Sequence, residues 1–164
     1  MITERIKTLK VIGEAVGQVV VENQIRINAV KIDRIKVELG DLTDHLFKNK
    51  VVKQGVIIKD IFFVDRKGIL RSITEKIPFL LTVDIPGFKP NPLMEVQNHL
   101  LDIDVDFSLT PATQCRPGCL RQIIVAHILV VAAEWVQLDV VTGVEQFPKI
   151  SLSNRNGIAL SDKV

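Results

Sequence analysis

The stretch that most constrains the fold is VVKQGVIIKDIFFV (51–64), followed by Asp65-Arg66-Lys67-Gly68 and then ILRSITEKI (69–77). Two arms rich in β-branched residues, joined by a short turn closed by glycine, predict a β-hairpin. The same grammar recurs along the chain. In VGQVVVENQIRINA (16–29), Val19, Val21, Ile25 and Ile27 point one way, and Gln18, Glu22, Gln24, Arg26 and Asn28 the other. That alternation predicts a half-buried strand. PFLLTVDI (78–85) sets Phe79, Leu81, Val83 and Ile85 against Leu80, Thr82 and Asp84, and PGFKPNP (86–92) then reads as a loop. EVQNHLLDIDVDFSL (95–109) is a long strand with Ile103, Val105, Phe107 and Leu109 on one side. RQIIVAHILVVAAEWVQLDVV (121–141) is apolar on both faces, as suits a central strand.

One segment is ambiguous. In KIDRIKVELGDLTDHL (31–46), Ile32, Ile35, Leu39, Leu42 and Leu46 have helix-like spacing, whereas Ile35, Val37 and Leu39 alternate. A turn or short helical piece leading into a strand is expected there. Val and Ile make up about a quarter of the 164 residues, a strand-favouring bias. Connections long enough for the crossovers of a parallel sheet are not evident. The expectation is an all-β, mostly antiparallel fold, a β-sandwich or barrel-like single domain with N- and C-terminal arms. Its parts are an N-terminal arm (1–10), a β domain (11–146) and a polar, turn-rich C-terminal tail (147–164).

Composition narrows the function classes. Net charge is +2 with both signs interspersed, which gives no basic footprint for nucleic acid. The longest apolar run, IIVAHILVVAA (123–133), is too short for a helical membrane span, and the N-terminus lacks the apolar stretch of a secretory signal. Aromatics are 5% and tyrosine is absent, a poor supply for stacking platforms. No G-x-S-x-G setting or Gly-rich phosphate loop occurs. No enzymatic activity and no cofactor are expected. At 47% hydrophobic residues, the chain has more apolar side chains than one modest core hides, which hints at burial against neighbouring chains.

Both cysteines lie in QCRPGC (114–119). Three residues separate Cys115 from Cys119, not the two of redox motifs, and no helix N-terminus follows to activate a thiol. Zinc would need two further ligands, and His45, His99 and His127 form no spaced pair. Pro117-Gly118 are favoured at the centre of a type II turn. Cys115 and Cys119 are therefore disulfide candidates, to each other or to a neighbouring subunit, and no metal site is expected. Asp102, Asp104 and Asp106 are spaced like the start of a calcium loop, but Phe107 and Thr113 stand where an EF-hand needs Gly and Glu. They read instead as a solvated strand face whose charge resists edge pairing. His127, within an apolar strand, reads as a core or interface histidine.

The order of features in VVKQGVIIKDIFFVDRKGILRSITEKIPFLLTVDIPG (51–87) resembles the SPOCS domain of spore coat and spore-morphogenesis proteins. The likeness lies in a Val-rich strand with Gly55, a strand ending in an aromatic pair, a short turn and the pattern IPFLLTVDIPG. VIGEAVGQVVVENQIRINAVKIDRI (11–35) is similar to the opening of that domain, and the likeness extends to RQIIVAHILVVAAEW. The resemblance implies a β-rich module of the spore envelope, made in the mother-cell cytoplasm and deposited at the spore surface or coat. It also implies action through assembly and protein contacts rather than catalysis. The expected partners are further copies of the chain, as a homo-oligomer or filament, and other spore coat or morphogenetic proteins. Strand addition by the N-terminal arm, with Ile2, Ile6, Leu9 and Val11 as the contacting residues, is the expected mode. The alternative is an adaptor that docks on another morphogenetic protein without polymerising.

Overall fold

A computed structural model describes residues 1–143. Six strands follow in order: β1 Ile2–Ile27, β2 Lys31–Phe47, β3 Lys50–Val64, β4 Leu70–Asp84, β5 Met94–Thr110 and β6 Gly118–Gly143. They form two antiparallel three-stranded sheets, ordered β1-β6-β5 and β2-β3-β4. The fold is all-β, as the alternation predicts, and the sheets do not close into a barrel. The expected tail, 147–164, lies outside the described residues.

The described residues divide into two compact units, Val11–Ala133 and Met1–Lys10 together with Glu134–Gly143. The first holds the core. Its inward residues come from both sheets: Val19 of β1, Val51 and Ile57 of β3, Phe79 and Val83 of β4, and Ile124, Ala126, Ile128 and Val130 of β6. In the second, Arg5 Nε lies 3.1 Å from Asp139 Oδ1, and Lys7 Nζ sits 5.2 Å from the centre of the Trp135 ring.

The predicted hairpin is β3–β4. Gly68 N–H donates to the Asp65 carbonyl at 2.9 Å, and Gly68 has φ +79°, which glycine adopts without a Cβ penalty. Asp65 is buried and fastens this turn: its Oδ1 accepts from the backbone N–H of Lys67 (2.8 Å) and Ile69 (3.0 Å), and Arg71 Nε reaches Oδ2 at 2.5 Å. The Arg71 hydrogen bond, followed by that from Ile69 N–H, holds the Asp65 carboxyl below the usual carboxylate range.

The helical piece expected within 31–46 is absent; Lys31–Phe47 is one strand. Its pairing with β3 shifts register between Ile32 and Arg34 and again between Gly40 and Thr43, where Asp41 has φ +52°. Each shift inserts a residue and switches which parity points inward. Ile32 is buried, then Ile35, Val37 and Leu39 face in, then Leu42 and Leu46. The helix-like spacing of three is the mark of these irregularities in a continuous strand.

Candidate functional site

The inward face of β3 reads Val51, Lys53, Gly55, Ile57, Lys59, Ile61, Phe63. Side chains of a strand alternate with period two, so two lysines six residues apart share a face. Both Lys53 and Lys59 are completely buried. A buried ammonium costs several kcal/mol unless a charge partner is held close. Each lysine has an acid directly opposite on a neighbouring strand, Asp44 of β2 for Lys53 and Glu75 of β4 for Lys59.

The two clusters also reach across the sandwich. Lys53 forms an ion pair with Asp44 Oδ1, and Asn98 Nδ2 of β5 donates to Asp44 Oδ2 at 2.9 Å. Lys59 Nζ lies 2.5 Å from Glu75 Oε1, a close approach off the hydrogen-bond axis, and donates to Asn23 Oδ1 of β1 at 2.9 Å. Asn23 Nδ2 in turn donates to Glu75 Oε2 at 3.0 Å, and Gln122 Nε2 of β6 approaches Asn23 Oδ1 at 3.4 Å. Three side chains from three other strands thus meet around the Asn23 amide.

This polar layer separates two apolar clusters. Val21, Ile57 and Ile124 pack with one and Ile25, Ile61 and Leu120 with the other. Asn23, Lys59 and Gln122 are the residues midway between these on their respective strands. Such a layer excludes water from its own contacts, which strengthens them, and makes loss of any member costly.

The thiols sit elsewhere. Cys115 is exposed, Cys119 is partly buried, and neither is bonded to the other. The expected type II turn does not form, because Gly118 lacks the positive φ that its third position needs. The bend lies earlier: Thr113 N–H donates to the Arg116 carbonyl at 3.0 Å, and Cys115 N–H to Thr113 Oγ1 at 3.3 Å. Glycine is required at 118 for a different reason. A Cβ there would stand 2.7 Å from the Ile27 carbonyl oxygen and 2.9 Å from that of Thr110.

Of the arm residues singled out in sequence, Ile2 and Val11 are exposed, Ile6 and Leu9 half-buried, and all four lie within β1. His127 is on the outer face of β6, its Nδ1 2.6 Å from Asp102 Oδ1. Asp102, Asp104 and Asp106 are all exposed on β5, an edge strand. Among the described residues no three His, Cys, Asp or Glu side chains gather as metal ligands. Sequence reasoning missed the lysine clusters, although the parity of β3 carries the signal.

Two packed sheets pinned by buried polar clusters define an all-β sandwich module. A family model described as SipL, SPOCS domain, matches residues 21–109, more than half of the chain. The chain therefore belongs to the SPOCS-domain family, and its role is related to sporulation. That family is not known for enzymatic activity. The match takes in both lysines, Asn23, Asp44, Glu75 and Asn98, and stops short of Gln122 and the cysteines. No curated protein and no solved structure matches the chain.

Proposed function

We propose that this protein is a non-enzymatic structural subunit of the bacterial spore envelope, in coat, exosporium or a surface appendage, that assembles with copies of itself through strand and apolar contacts. The observation that carries the reading is the outer face of the β1-β6-β5 sheet. Val16 and Val20 of β1 are 54% and 60% exposed, and Ile123 of β6 is 43% exposed. Large apolar side chains held outward on adjacent strands are the feature by which monomers become interfaces. In this reading the first strand residues, from Ile2 to Val11, add to the open edge of a neighbouring copy. Backbone ladder bonds give such a contact its affinity, and head-to-tail repetition gives filaments or rings. The chain is made in the mother cell and deposited on the spore, where the exposed thiol of Cys115 and that of Cys119 become oxidised to disulfides.

Size-exclusion chromatography with negative-stain microscopy of the purified protein tests this. Fibres, sheets or rings that vanish on deletion of residues 1–12 are expected. A discrete monomer or dimer at all concentrations would instead favour an adaptor that docks on another morphogenetic protein. Thiols that stay fully alkylatable in denatured spore material would remove the disulfide from the proposal.

A further inference from the structure

The geometry points to a self-catalysed covalent cross-link, an isopeptide bond between Lys59 Nζ and Asn23 Cγ, formed inside the folded domain with release of ammonia. It goes beyond the assembly reading and does not depend on it.

Each part of an acyl-transfer site is present around the Asn23 carboxamide. The nucleophile is Lys59, whose Nζ already contacts Asn23 Oδ1 at 2.9 Å. The carbon to be attacked is one carbonyl bond further, about 1.2 Å. The acid–base group is Glu75, with one oxygen on each side of the exchange: Oε1 is 2.5 Å from the attacking nitrogen and Oε2 is 3.0 Å from the departing one, Asn23 Nδ2. Gln122 Nε2, 3.4 Å from Oδ1, faces the oxygen on which negative charge develops.

The steps balance without a co-reactant. Glu75 Oε1, 2.5 Å from Lys59 Nζ, takes a proton from the Lys59 ammonium as general base. The free amine attacks Cγ, and the electron pair of the carbonyl moves to Oδ1. Glu75 then delivers its proton to Nδ2 and accepts one from Nζ. The Cγ–Nδ2 bond breaks, its electron pair leaves with the nitrogen as ammonia, and the carbonyl re-forms. Lys59, Asn23 and Glu75 begin with one ammonium, one carboxamide and one carboxylate. They end as one secondary amide, one ammonia and one carboxylic acid, with all protons accounted for. A buried charge is exchanged for a neutral amide while ammonia escapes to water, and this exchange drives the step forward. Glu75, 24% exposed at its side chain, borders the exit. Holding the groups in contact replaces a bimolecular encounter, which is why an otherwise inert amide reacts.

The Lys53 cluster is a built-in contrast. Its carboxylate also bridges a lysine and an amide, but Asn98 Oδ1 accepts no hydrogen bond, so Lys53 is not aligned on that carbonyl. One bond, not two, is therefore assigned.

Intact-mass spectrometry of the purified full chain, followed by peptide mapping, tests the proposal. The expected mass is lower than the sequence mass by one ammonia, with a branched species joining the peptides that carry Asn23 and Lys59. Glu75→Gln, checked by circular dichroism to be folded, should retain the full sequence mass. Asn23→Asp should join the same two peptides with loss of water instead. An unmodified parent mass overturns the proposal. So does an ammonia loss confined to one peptide, as a succinimide would give, a bond that joins Lys53, or a folded Glu75→Gln that still loses ammonia.

Discussion

Removing the acid that faces Lys53 should be among the most damaging single changes in the domain. Lys53 is fully buried, and its ion partner is Asp44, itself anchored by Asn98 from the opposite sheet. Asp44→Ala leaves an ammonium in the interior without a counter-charge, at a cost of about 3–5 kcal/mol. Against a typical total of about 5–15 kcal/mol, that is a large share of the folding free energy. At about 2–4 °C per kcal/mol for a chain of this size, Tm should fall by about 6–20 °C. Calorimetry and urea titration followed by circular dichroism would read both values. The double variant Lys53→Met/Asp44→Leu removes the charge together with its partner and should recover most of the loss, since burial of a matched apolar pair is neutral or better. An Asp44→Ala protein within about 1 kcal/mol of the parent would refute the reasoning, because that is how an exposed ion pair behaves.

Other positions make independent predictions. Because the Asp65 carboxyl lies below its ordinary value in the fold, its contribution is complete above the unfolded value of about 3.9 and is lost as pH falls through the lower folded value. Asp65→Asn should therefore destabilise near neutral pH and flatten the acid limb of a stability–pH curve below about pH 4; an unchanged limb would count against it. Gly55→Ala places a Cβ 2.6 Å from Phe79 Cζ and 2.9 Å from Leu42 Cδ2, and should cost about 1–3 kcal/mol by overpacking, read by urea denaturation. Gly118→Ala should cost more than Gly55→Ala in the same assay, since the atoms it meets are backbone and cannot rotate aside.

Where alternation was regular, the sequence was readable to the residue. Val19, Val21, Ile25 and Ile27 face inward as one set, and Phe79, Leu81 and Val83 as another. The Asp65–Gly68 hairpin was legible from its turn residues. Strand β2 misled because pattern-reading assumes an unbroken period, and two register shifts break it. β5 has a similar break. Met94 and Val96 pack inward on even positions and Ile103 and Val105 on odd ones, with His99, Leu100 and Leu101 all exposed between them. The lysine clusters escaped notice for another reason. Lysine is normally an outward residue, so Lys53 and Lys59 do not read as core residues, although Val51, Ile57, Ile61 and Phe63 share their parity. Asn23, between Val21 and Ile25, is masked by its polarity in the same way. A polar residue at an apolar parity is the signal, and the sequence carries it on both β1 and β3.

That polar layer also explains how a chain so rich in interchangeable Val and Ile selects one register. A slip of one residue turns the whole apolar face outward and is excluded by burial alone. A slip of two keeps every face correct and exchanges one β-branched residue for another, so apolar packing discriminates weakly against it. The lysines discriminate strongly. Shifted by two, Lys59 would stand opposite Ile73 or Ile77 instead of Glu75, and Lys53 opposite Leu42 or Leu46 instead of Asp44. Either slip strands a buried ammonium, a cost of about 3–5 kcal/mol for each lysine. Because the two acids lie on opposite sides of β3, one strand fixes the alignment of both its neighbours. Asn98 and Asn23 extend the same constraint to the other sheet, so pairing within one sheet and docking between the two are set by the same seven side chains.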